Sequence, residues 1–338
     1  MPPKILVTGA AGFIGSHLVD LLIEKKTPLK QLRLVIAPWD TLENLKHLDT
    51  DTIEIIKADI RDRQKMFVAV KGCSIIYHLA ARIDFDGQTY AEYQDVNVDA
   101  TQHLLDAAVK HGVRKFILYS SIGVFGLPAG IGDIEGWDET HPKTYTNFYG
   151  QSKWEAEQRV VATYQKHKLP YAIIRPASVY GPREQGPTLA LYRAIKSNRF
   201  MLIGNGQNKM HYVFVKDLVT ATYLAAKQRR ATGDYIVAGP APNTFQEIVS
   251  EVATSIDHPV PKLSLPTPVA MLIAHIFELL GKLFNFSPPL FPSRVRTMTT
   301  TYWYDISKAK KELKYRPAVP FSTGAEITGK WYQEHGYL

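Results

Sequence analysis

The sequence predicts an α/β protein: a doubly wound parallel sheet with helices on both faces, followed by a smaller, mostly helical part. Apolar strand patterns alternate with helix patterns along the first half of the 338-residue chain, which is the order of a parallel sheet. The first strand pattern runs directly into a glycine-spaced loop that opens a helix pattern. The length allows two domains.

The elements follow from these patterns in order. Predicted strands cover 4–8, 31–36, 53–57, 74–78, 115–119 and 171–175, and predicted helices cover 12–25, 62–71, 89–111 and 147–168. After Arg175 glycine and proline become frequent, which indicates loops over the carboxyl ends of the strands, where ligands bind in such folds. The stretch 211–237 returns to strand, helix and strand. We therefore expect one domain of 1–180 plus 211–238 and a second of 181–210 plus 239–338.

Composition disfavours several classes of protein. Hydrophobic content of 45% and charged content of 21% are those of an ordinary globular protein. The net charge of +8 comes from scattered basic residues, which disfavours nucleic-acid binding. A single cysteine, Cys73, predicts a reducing compartment and a packing role. Because the chain enters its first strand at once, we expect no signal peptide and a cytoplasmic location, and we take the sequon 285–287 as coincidence.

The most apolar helix pattern covers 266–284 and includes His275, Glu278 and Lys282. A membrane-spanning helix needs about 20 mostly apolar residues. The segment therefore predicts either a pocket wall or an amphipathic helix that contacts a membrane surface.

Three glycines follow the first strand, in the segment Lys4-Ile5-Leu6-Val7-Thr8-Gly9-Ala10-Ala11-Gly12-Phe13-Ile14-Gly15. Gly9 permits a tight turn, Gly12 removes a Cβ where a pyrophosphate would approach, and Gly15 allows close packing of helix on strand. The helix that follows offers unpaired N–H groups to phosphates. The loop predicts a dinucleotide-binding Rossmann domain.

Candidate catalytic side chains follow the fifth strand. Ser120 and Ser121 end that strand, and Tyr149 and Lys153 lie four apart on one face of the next helix. A nearby ammonium favours phenolate and lowers the pKa of tyrosine, whose ordinary value is about 10. The pair is therefore suited to move a proton to or from a substrate oxygen that Ser121 holds.

The Tyr-x-x-x-Lys spacing is not specific by itself. It occurs at Tyr149, Tyr164, Tyr192, Tyr212, Tyr223 and Tyr304. Tyr149 follows the two serines and lies near the start of its helix, toward the carboxyl edge of the sheet. Tyr164 would lie about 22 Å further along that helix. For these other five tyrosines we expect packing or surface roles.

These segments resemble the extended short-chain dehydrogenase/reductase family, which includes nucleotide-sugar epimerases, dihydroflavonol reductases and 3β-hydroxysteroid dehydrogenases. In that family the catalytic hydroxyl lies five residues before the glycine of a Val-Tyr-Gly-like motif, here Gly126, which selects Ser121. The catalytic tyrosine and lysine match Tyr149 and Lys153. Further matches are Arg175–Pro182, Tyr212–Asp217 and the closing segment Tyr304–Pro317, so the resemblance covers essentially the whole chain.

The resemblance implies binding residues for NAD(P) and for substrate, and no metal. Asp59 and Ile60 match the adenine-binding position, the loop after His78 matches the ribose side, and Asn97 matches a helix asparagine that supports the active site. The implied cofactor contacts are Gly9, Ala11, Gly12, Phe13, Ile14, Asp40, Asp59, Ile60, Leu79, Ala80, Ala81, Asn97, Tyr149, Lys153, Pro176 and Val179. The implied substrate contacts are Ser121, Ile122, Tyr149, Tyr180 and Arg183.

Two departures from the family pattern bear on the reaction and on the class of substrate. Dehydratases place an Asp-Glu pair where this chain has Ile122 and Gly123, which disfavours dehydration. Epimerases usually have an arginine where this chain has Met210, although three nearby bases could substitute for it: Lys209, Arg294 and Arg296.

The segments 120–122 and 82–87 look more like the sterol and 3β-hydroxysteroid dehydrogenase branch. We expect an NAD(P)-dependent oxidoreductase that acts on a hydroxyl or ketone of a steroid-like or other apolar substrate. A nucleotide-sugar epimerase or reductase is the alternative, and a dinucleotide-sensing regulator without turnover is a third.

The choice between NAD and NADP depends on the end of the second strand. Ala37 occupies that position, Asp40 is the nearest acid and the first base after it is Lys46, which favours NAD. We also expect apolar surface on helices 89–111 and 147–168 beyond what the sheet needs, and hence a homodimer through them.

Overall fold

A computed structural model of the chain describes residues 2–83, 89–126, 133–228, 231–284 and 290–338. The stretch 84–87 and the tripeptide 285–287 lie outside the described residues. The strands are β1 (Lys4–Thr8), β2 (Leu32–Ile36), β3 (Glu54–Lys57), β4 (Cys73–His78), β5 (Lys115–Tyr119), β6 (Ile134–Trp137), β7 (Tyr171–Pro176), β8 (Ser178–Tyr180), β9 (Leu202–Ile203), β10 (Lys209–Met210), β11 (Tyr212–Phe214), β12 (Gly233–Val237), β13 (Asn243–Thr244), β14 (Ser264–Leu265) and β15 (Tyr302–Tyr304). The helices are α1 (Phe13–Glu24), α2 (Arg63–Val70), α3 (Tyr90–Tyr93), α4 (Ala100–Lys110), α5 (Phe148–His167), α6 (Pro187–Lys196), α7 (Val215–Lys227), α8 (Phe245–Thr254), α9 (Thr267–Phe284), α10 (Pro292–Thr299) and α11 (Phe321–Glu334).

Seven parallel strands form the central sheet in the order β12-β7-β5-β4-β1-β2-β3. Each of the six predicted strands is present within one residue of its expected ends. The strand order reverses between β1 and β4, so a crevice opens beyond the carboxyl ends of these two strands. The predicted doubly wound fold is confirmed.

Both faces of the sheet are buried, as helices on both sides require. Val7, Tyr77 and Ile117 point into one apolar core, whereas their chain neighbours Leu6 and Ile76 point into the other. Cys73 belongs to the second core, and burial raises the pKa of its thiol. Its environment is that of a packed side chain.

The strand, helix and strand predicted over 211–237 are confirmed as β11, α7 and β12, and the remaining strands are short and were not predicted. β13-β10-β15-β6 form a four-stranded sheet, β11 pairs with β8, and β14 pairs with β9. Most of these strands have two or three residues, too few for an alternating pattern to be visible. β12 joins the main sheet beside β7. The division into two domains stays a prediction.

The outward faces of α4 and α5 are polar. Of the large hydrophobic side chains on helices 89–111 and 147–168, which the structure describes throughout, only Phe148 is exposed. A shallow surface between the two helices is lined largely by Gln102, Asp106, Lys110 and Lys166. The expected surplus of apolar surface is therefore wrong, because the apolar side of each helix faces the sheet. The homodimer stays a prediction.

α9 packs outside the two main cores. Ala270 and Ala274 are fully buried in a small separate cluster with Ile203 and Val295. Within the described ranges, none of the helices is long and apolar enough to span a bilayer.

Candidate active site

The loop between β1 and α1 is shaped by its glycines. Gly9 has φ +67°, and a Cβ there would approach the Ala80 backbone nitrogen to 2.8 Å. A Cβ on Gly15 would collide with the Gly9 carbonyl oxygen, so α1 approaches β1 this closely only because Gly15 has none. Gly12 is the exposed N-cap of α1, and no side chain caps the helix. The first turn of α1 therefore presents backbone N–H groups at the positive end of a twelve-residue helix.

This loop fits the pyrophosphate of a dinucleotide. The first turn of α1 contains no acidic residue that would repel phosphate. Phe13 and Ile14 begin the helix half-buried, and the Ala11 carbonyl accepts a hydrogen bond from Asn44 Nδ2 at 2.9 Å. On the other side of the crevice Leu79, Ala80 and Ala81 follow β4 half-buried.

The residues predicted at the adenosine end follow β2 and β3. The Asp40 N–H donates to the Ala37 carbonyl at 3.0 Å in a turn directly after β2. Arg61, which the sequence analysis did not single out, binds the Asp59 carboxylate through Nε at 3.0 Å and Nη2 at 2.5 Å. These hydrogen bonds lower the pKa of Asp59. Ile60, beside it, is buried. The carboxylate at the predicted adenine position is thus already neutralised by a guanidinium.

A buried chain of hydrogen bonds joins β1 and β4 to the helix behind them. His78 Nδ1 lies 2.8 Å from Thr8 Oγ1, and its Nε2 lies 3.0 Å from Thr101 Oγ1. Thr101 donates its own proton to the Asn97 carbonyl at 2.6 Å, so it accepts from the His78 Nε2–H. His78 Nδ1 then accepts from Thr8, which accepts the Ala80 N–H at 3.2 Å. Burial lowers the pKa of His78 to about 3, so the ring stays neutral as this pattern requires.

Asn97 lies in a π-helical segment, Gln94–Asp99, that joins α3 to α4. Its Oδ1 accepts the Arg82 N–H at 2.8 Å, and its Nδ2 donates to the Arg82 carbonyl at 3.0 Å and to Ser152 Oγ at 2.9 Å. Ser152 Oγ in turn donates to the Tyr149 carbonyl at 2.8 Å. Because the amide is engaged through both its oxygen and its nitrogen and is 2% exposed, Asn97 holds Arg82 and Ser152 in place, and its implied contact with a cofactor stays a prediction.

Ser121 and Tyr149 are brought together because the first turn of α5 packs directly on the turn after β5, at Gly150 and Gly123. Ser121 is the N-cap of a 3₁₀ turn after β5, and its Oγ accepts the Gly123 N–H at 3.0 Å. A Cβ on Gly150 would collide with the Gly123 carbonyl, so the first turn of α5 lies directly on the 3₁₀ turn. Ser121 Oγ and the Tyr149 ring both border Gly123, at 3.3 and 3.6 Å from the position of a Cβ on that glycine, and the Ser121 hydroxyl acts to lower the pKa of Tyr149. Ile122, the first residue of the 3₁₀ turn, is half-buried.

Lys153 follows one helical turn after Tyr149 and is 4% exposed. Burial lowers the pKa of this lysine to about 8, and the carboxylate of Glu157 offsets part of the shift. Burial raises the pKa of Tyr149, and the hydrogen bond with Ser121 lowers it only part of the way back. The net direction is opposite to the one expected from the sequence, because desolvation of the phenol outweighs its favourable contacts.

Glu157 connects α5 to the sheet. Its two carboxylate oxygens accept from Arg175 Nε at 2.9 Å and Nη2 at 2.6 Å, and both side chains are at most 2% exposed. Arg175 Nη1 also lies 2.5 Å from the Asp234 carboxylate. A buried, bidentate pair of this kind fixes the depth at which α5 packs on β7. No motif or spacing in the sequence marks Glu157.

The segment after β7 contains two of the implied substrate contacts, Tyr180 and Arg183, both of which the structure places against other parts of the protein. Pro176 ends β7 and Val179 lies half-buried in β8. Tyr180 is 2% exposed, and its ring packs against Phe321, so it has no surface for a substrate. The Arg183 guanidinium forms an ion pair with Asp20 of α1 at 2.8 Å, which compensates its charge within the protein.

A separate pocket of about 430 Å³ lies at the start of α9. Polar side chains dominate its lining, which consists of Ile203, Gly204, Asn205, Asn208, Ser264, Pro266, Thr267 and Thr299. None of the three predicted catalytic residues lines it.

Comparison with known proteins agrees with this geometry. Over 96% of its length the chain is 29% identical to 3β-hydroxysteroid-dehydrogenase/decarboxylase isoform 2 of Arabidopsis thaliana, of which it spans 61%. It is 30% identical to the N-acetyl-α-D-glucosaminyl-diphospho-ditrans,octacis-undecaprenol 4-epimerase of Escherichia coli O157:H7, covering 91% of this chain and 89% of that protein.

A similar solved structure is DesIV, a dTDP-glucose 4,6-dehydratase from Streptomyces venezuelae with NAD bound. The two chains are 25% identical and superpose with a TM-score of 0.78 over 98% of this chain and 97% of that one. The model of the NAD-dependent epimerase/dehydratase family matches residues 5–239. With the glycine loop, the sheet order and the Ser121–Tyr149 contact already in place, this match shows that the chain belongs to the NAD-dependent epimerase/dehydratase family.

Proposed function

We propose that this chain is an NAD-dependent oxidoreductase that transfers hydride between nicotinamide and a hydroxyl or ketone of a steroid-like or other apolar substrate. The observation that supports it most is the contact of Ser121 with Tyr149, one helical turn before the buried Lys153. The regulator without turnover is disfavoured by the same contact, since a binding protein needs no proton-transfer group.

Each of the three side chains has a role that its surroundings favour. Ser121 Oγ accepts from the Gly123 N–H, which leaves its own proton free to be donated to a substrate oxygen or to Tyr149. In the oxidising direction the Tyr149 phenolate takes the hydroxyl proton, and the Lys153 ammonium stabilises that phenolate. Ile122 forms the apolar wall beside them.

NAD would be held by the uncapped first turn of α1, by the loop after β4 and by Tyr149 and Lys153. Bound there, its nicotinamide supplies the hydride acceptor or donor. NAD is preferred over NADP in this proposal because Ala37 and Asp40 supply no base at the end of β2. Arg61, at the end of β3, has its charge compensated by Asp59.

Two substrate classes are supported by different observations. The Arabidopsis relative acts on 3β-hydroxysteroids by its name, and Ile122 and Gly123 offer no acid pair for dehydration. The alternative, a nucleotide-sugar epimerase or reductase, is favoured by the polar pocket at the start of α9, whose amides and hydroxyls could bind a sugar or phosphate group. We place the protein in the cytoplasm.

A substrate panel distinguishes the two classes. Purified protein is mixed with NAD or NADP and with hydroxysteroids or nucleotide sugars, and reduced cofactor is followed by its absorbance. We expect reduction with NAD and a hydroxysteroid. Because epimerisation regenerates the cofactor, the sugar arm is also analysed by NMR for a changed stereocentre. An epimerised sugar without steroid turnover would favour the alternative, and no reaction in any arm would contradict both.

Substituting two glycines should separate cofactor binding from folding. Gly12→Ala adds a Cβ at 3.3 Å from the Gly9 carbonyl oxygen, a tight contact that a small movement relieves, so the loss of stability should be smaller than at Gly15, whose Cβ would collide with the same oxygen. NAD affinity should fall at least about tenfold, because the Cβ on residue 12 occupies the side of the loop proposed for the phosphates. Gly15→Ala should lose about 1–3 kcal/mol of stability as well, because its Cβ meets backbone. Calorimetric titration and thermal melting measure the two effects. Equal NAD affinity for Gly12→Ala and the parent would contradict this location of the pyrophosphate.

A further inference from the structure

The outer face of α9 is a stripe of exposed aliphatic side chains. Leu272 is 62% exposed, Leu279 68% and Leu283 71%, and Val269, before them, and Ile276, among them, continue the stripe at helical spacing. From Val269 to Leu283 the stripe is about 21 Å long at 1.5 Å per residue. Exposed apolar stripes of this extent indicate a binding surface.

The opposite face of the same helix is fixed to the protein. Ala270 and Ala274 are fully buried against Ile203 of β9 and Val295 of α10. The helix is therefore held in place by small residues on its inner side, and the leucine face is directed outward by that packing. Leu263, 71% exposed just before β14, extends the apolar surface at the N-terminal end.

The chain segment that contains α9 is mainly basic. Between Asp257 and Asp305 the sequence contains four lysines and arginines but a single acid, Glu278, which is half-buried. The exposed bases include Lys262 before the helix and Arg296 on α10, which packs against it. An apolar helix face with basic surroundings is the pattern of a helix that lies in the headgroup region of an anionic bilayer.

The size of the face favours a bilayer over a protein partner. A stable protein interface uses about 20–30 residues a side. This surface offers seven exposed hydrophobic residues: Leu263, Val269, Leu272, Ile276, Leu279, Leu283 and Phe284. A bilayer requires no complementary shape, and its binding strength grows with apolar area and with charge.

We propose that the leucine face of α9 (Val269, Leu272, Ile276, Leu279 and Leu283) seats the protein on anionic membranes. The helix lies in the plane of the bilayer surface and does not cross it. The membrane contact itself does not depend on the proposed function. Its consequence rests on that function: an apolar substrate dissolved in the bilayer reaches the protein at α9, whose first turn borders the polar pocket.

Vesicle sedimentation tests the surface without cofactor or substrate. The full chain is mixed with vesicles of phosphatidylcholine alone or of phosphatidylcholine with phosphatidylglycerol. We expect binding to the anionic vesicles that weakens as salt is added. Leu272→Glu combined with Leu279→Glu should lower the partition coefficient at least about tenfold, because two exposed leucines are replaced by repelled charges.

A matched control is Val68→Glu, which changes a side chain of α2 that is 63% exposed and far from α9 in sequence; its vesicle binding should equal that of the parent. Parent-like melting of the double variant shows that it folds. The proposal is overturned if the parent binds neither vesicle, if the double variant binds like the parent, or if the parent is a dimer that the double variant dissolves. Failure of the substrate panel leaves vesicle binding unaffected, so the two proposals fail separately.

Discussion

Tyr149→Phe is expected to lower kcat by about 10²–10⁴-fold, the usual contribution of a positioned general acid or base. The substitution removes the hydroxyl that contacts Ser121 and leaves the ring packed at the start of α5. NAD affinity should stay close to that of the parent, because the glycine loop and the backbone after β4 are untouched. Turnover of the best substrate from the panel and calorimetric NAD titration measure the two quantities.

Tyr164→Phe is the matched control for this variant. Tyr164 lies on the same helix with Lys168 four residues later, and that lysine lies over its ring at 5.7 Å. The control makes the same chemical change in a second Tyr-x-x-x-Lys pair that lies further along the helix from the predicted site. Its activity should therefore be unchanged. Parent-like turnover in Tyr149→Phe would refute the assignment, whereas loss of turnover in both variants would point to a general effect on α5.

Glu157→Gln is expected to shift the high-pH limb of the rate profile to lower pH. Burial lowers the pKa of Lys153 to about 8, and the Glu157 carboxylate raises it in part. Without that charge the pKa falls further below 8. In the reducing direction Tyr149 acts as the protonated acid, which its raised pKa favours, and the ammonium is the active form of Lys153. Activity in that direction is therefore lost as pH rises through the pKa of Lys153, and in the variant this loss begins earlier. The pH dependence of kcat measures the shift, which a purely structural role would not produce.

The same variant should also be less stable. Glu157 and Arg175 are buried together, and removing one partner of such a pair typically costs about 3–5 kcal/mol because a charge is left uncompensated. Glutamine keeps a hydrogen-bond acceptor and Asp234 still pairs with Arg175, so we expect the lower end of that range. Denaturant unfolding measures it. Glu155→Gln, a half-buried neighbour on α5, is the control, and an unshifted pH profile with reduced stability would assign Glu157 to packing alone.

Sequence periodicity was sufficient for the main sheet, whereas short spacings and the family resemblance selected the three candidate catalytic residues, whose role stays a prediction. The six strands are four to six residues long and apolar on both faces, and Ser121, Tyr149 and Lys153 are fixed by short spacings within one strand end and one helix. These are local features, which a linear pattern records. The glycine loop is local in the same sense.

Other features depend on contacts between distant segments. A motif match placed Tyr180 and Arg183 at the site, but it does not tell which way a side chain points, and here they face Phe321 and Asp20. Arg61 neutralises Asp59 through a turn that no periodicity marks. The net rise in the Tyr149 pKa reflects how deeply several elements bury it together.

Because Asn97 lies in the π-helical turn Gln94–Asp99, its position depends on the number of residues in that turn. A π turn holds one residue more than an α turn. Deleting one residue between 94 and 99 would replace the wide turn by a regular α-helix: the residues on either side would keep their faces, while those inside the turn, Asn97 among them, would change direction. Arg82 and Ser152 would then lose Asn97 as their shared hydrogen-bond partner, although the sequence would still contain all three residues. This part of the architecture is thus gained or lost by insertion or deletion of one codon, a change that no scan of substitutions samples.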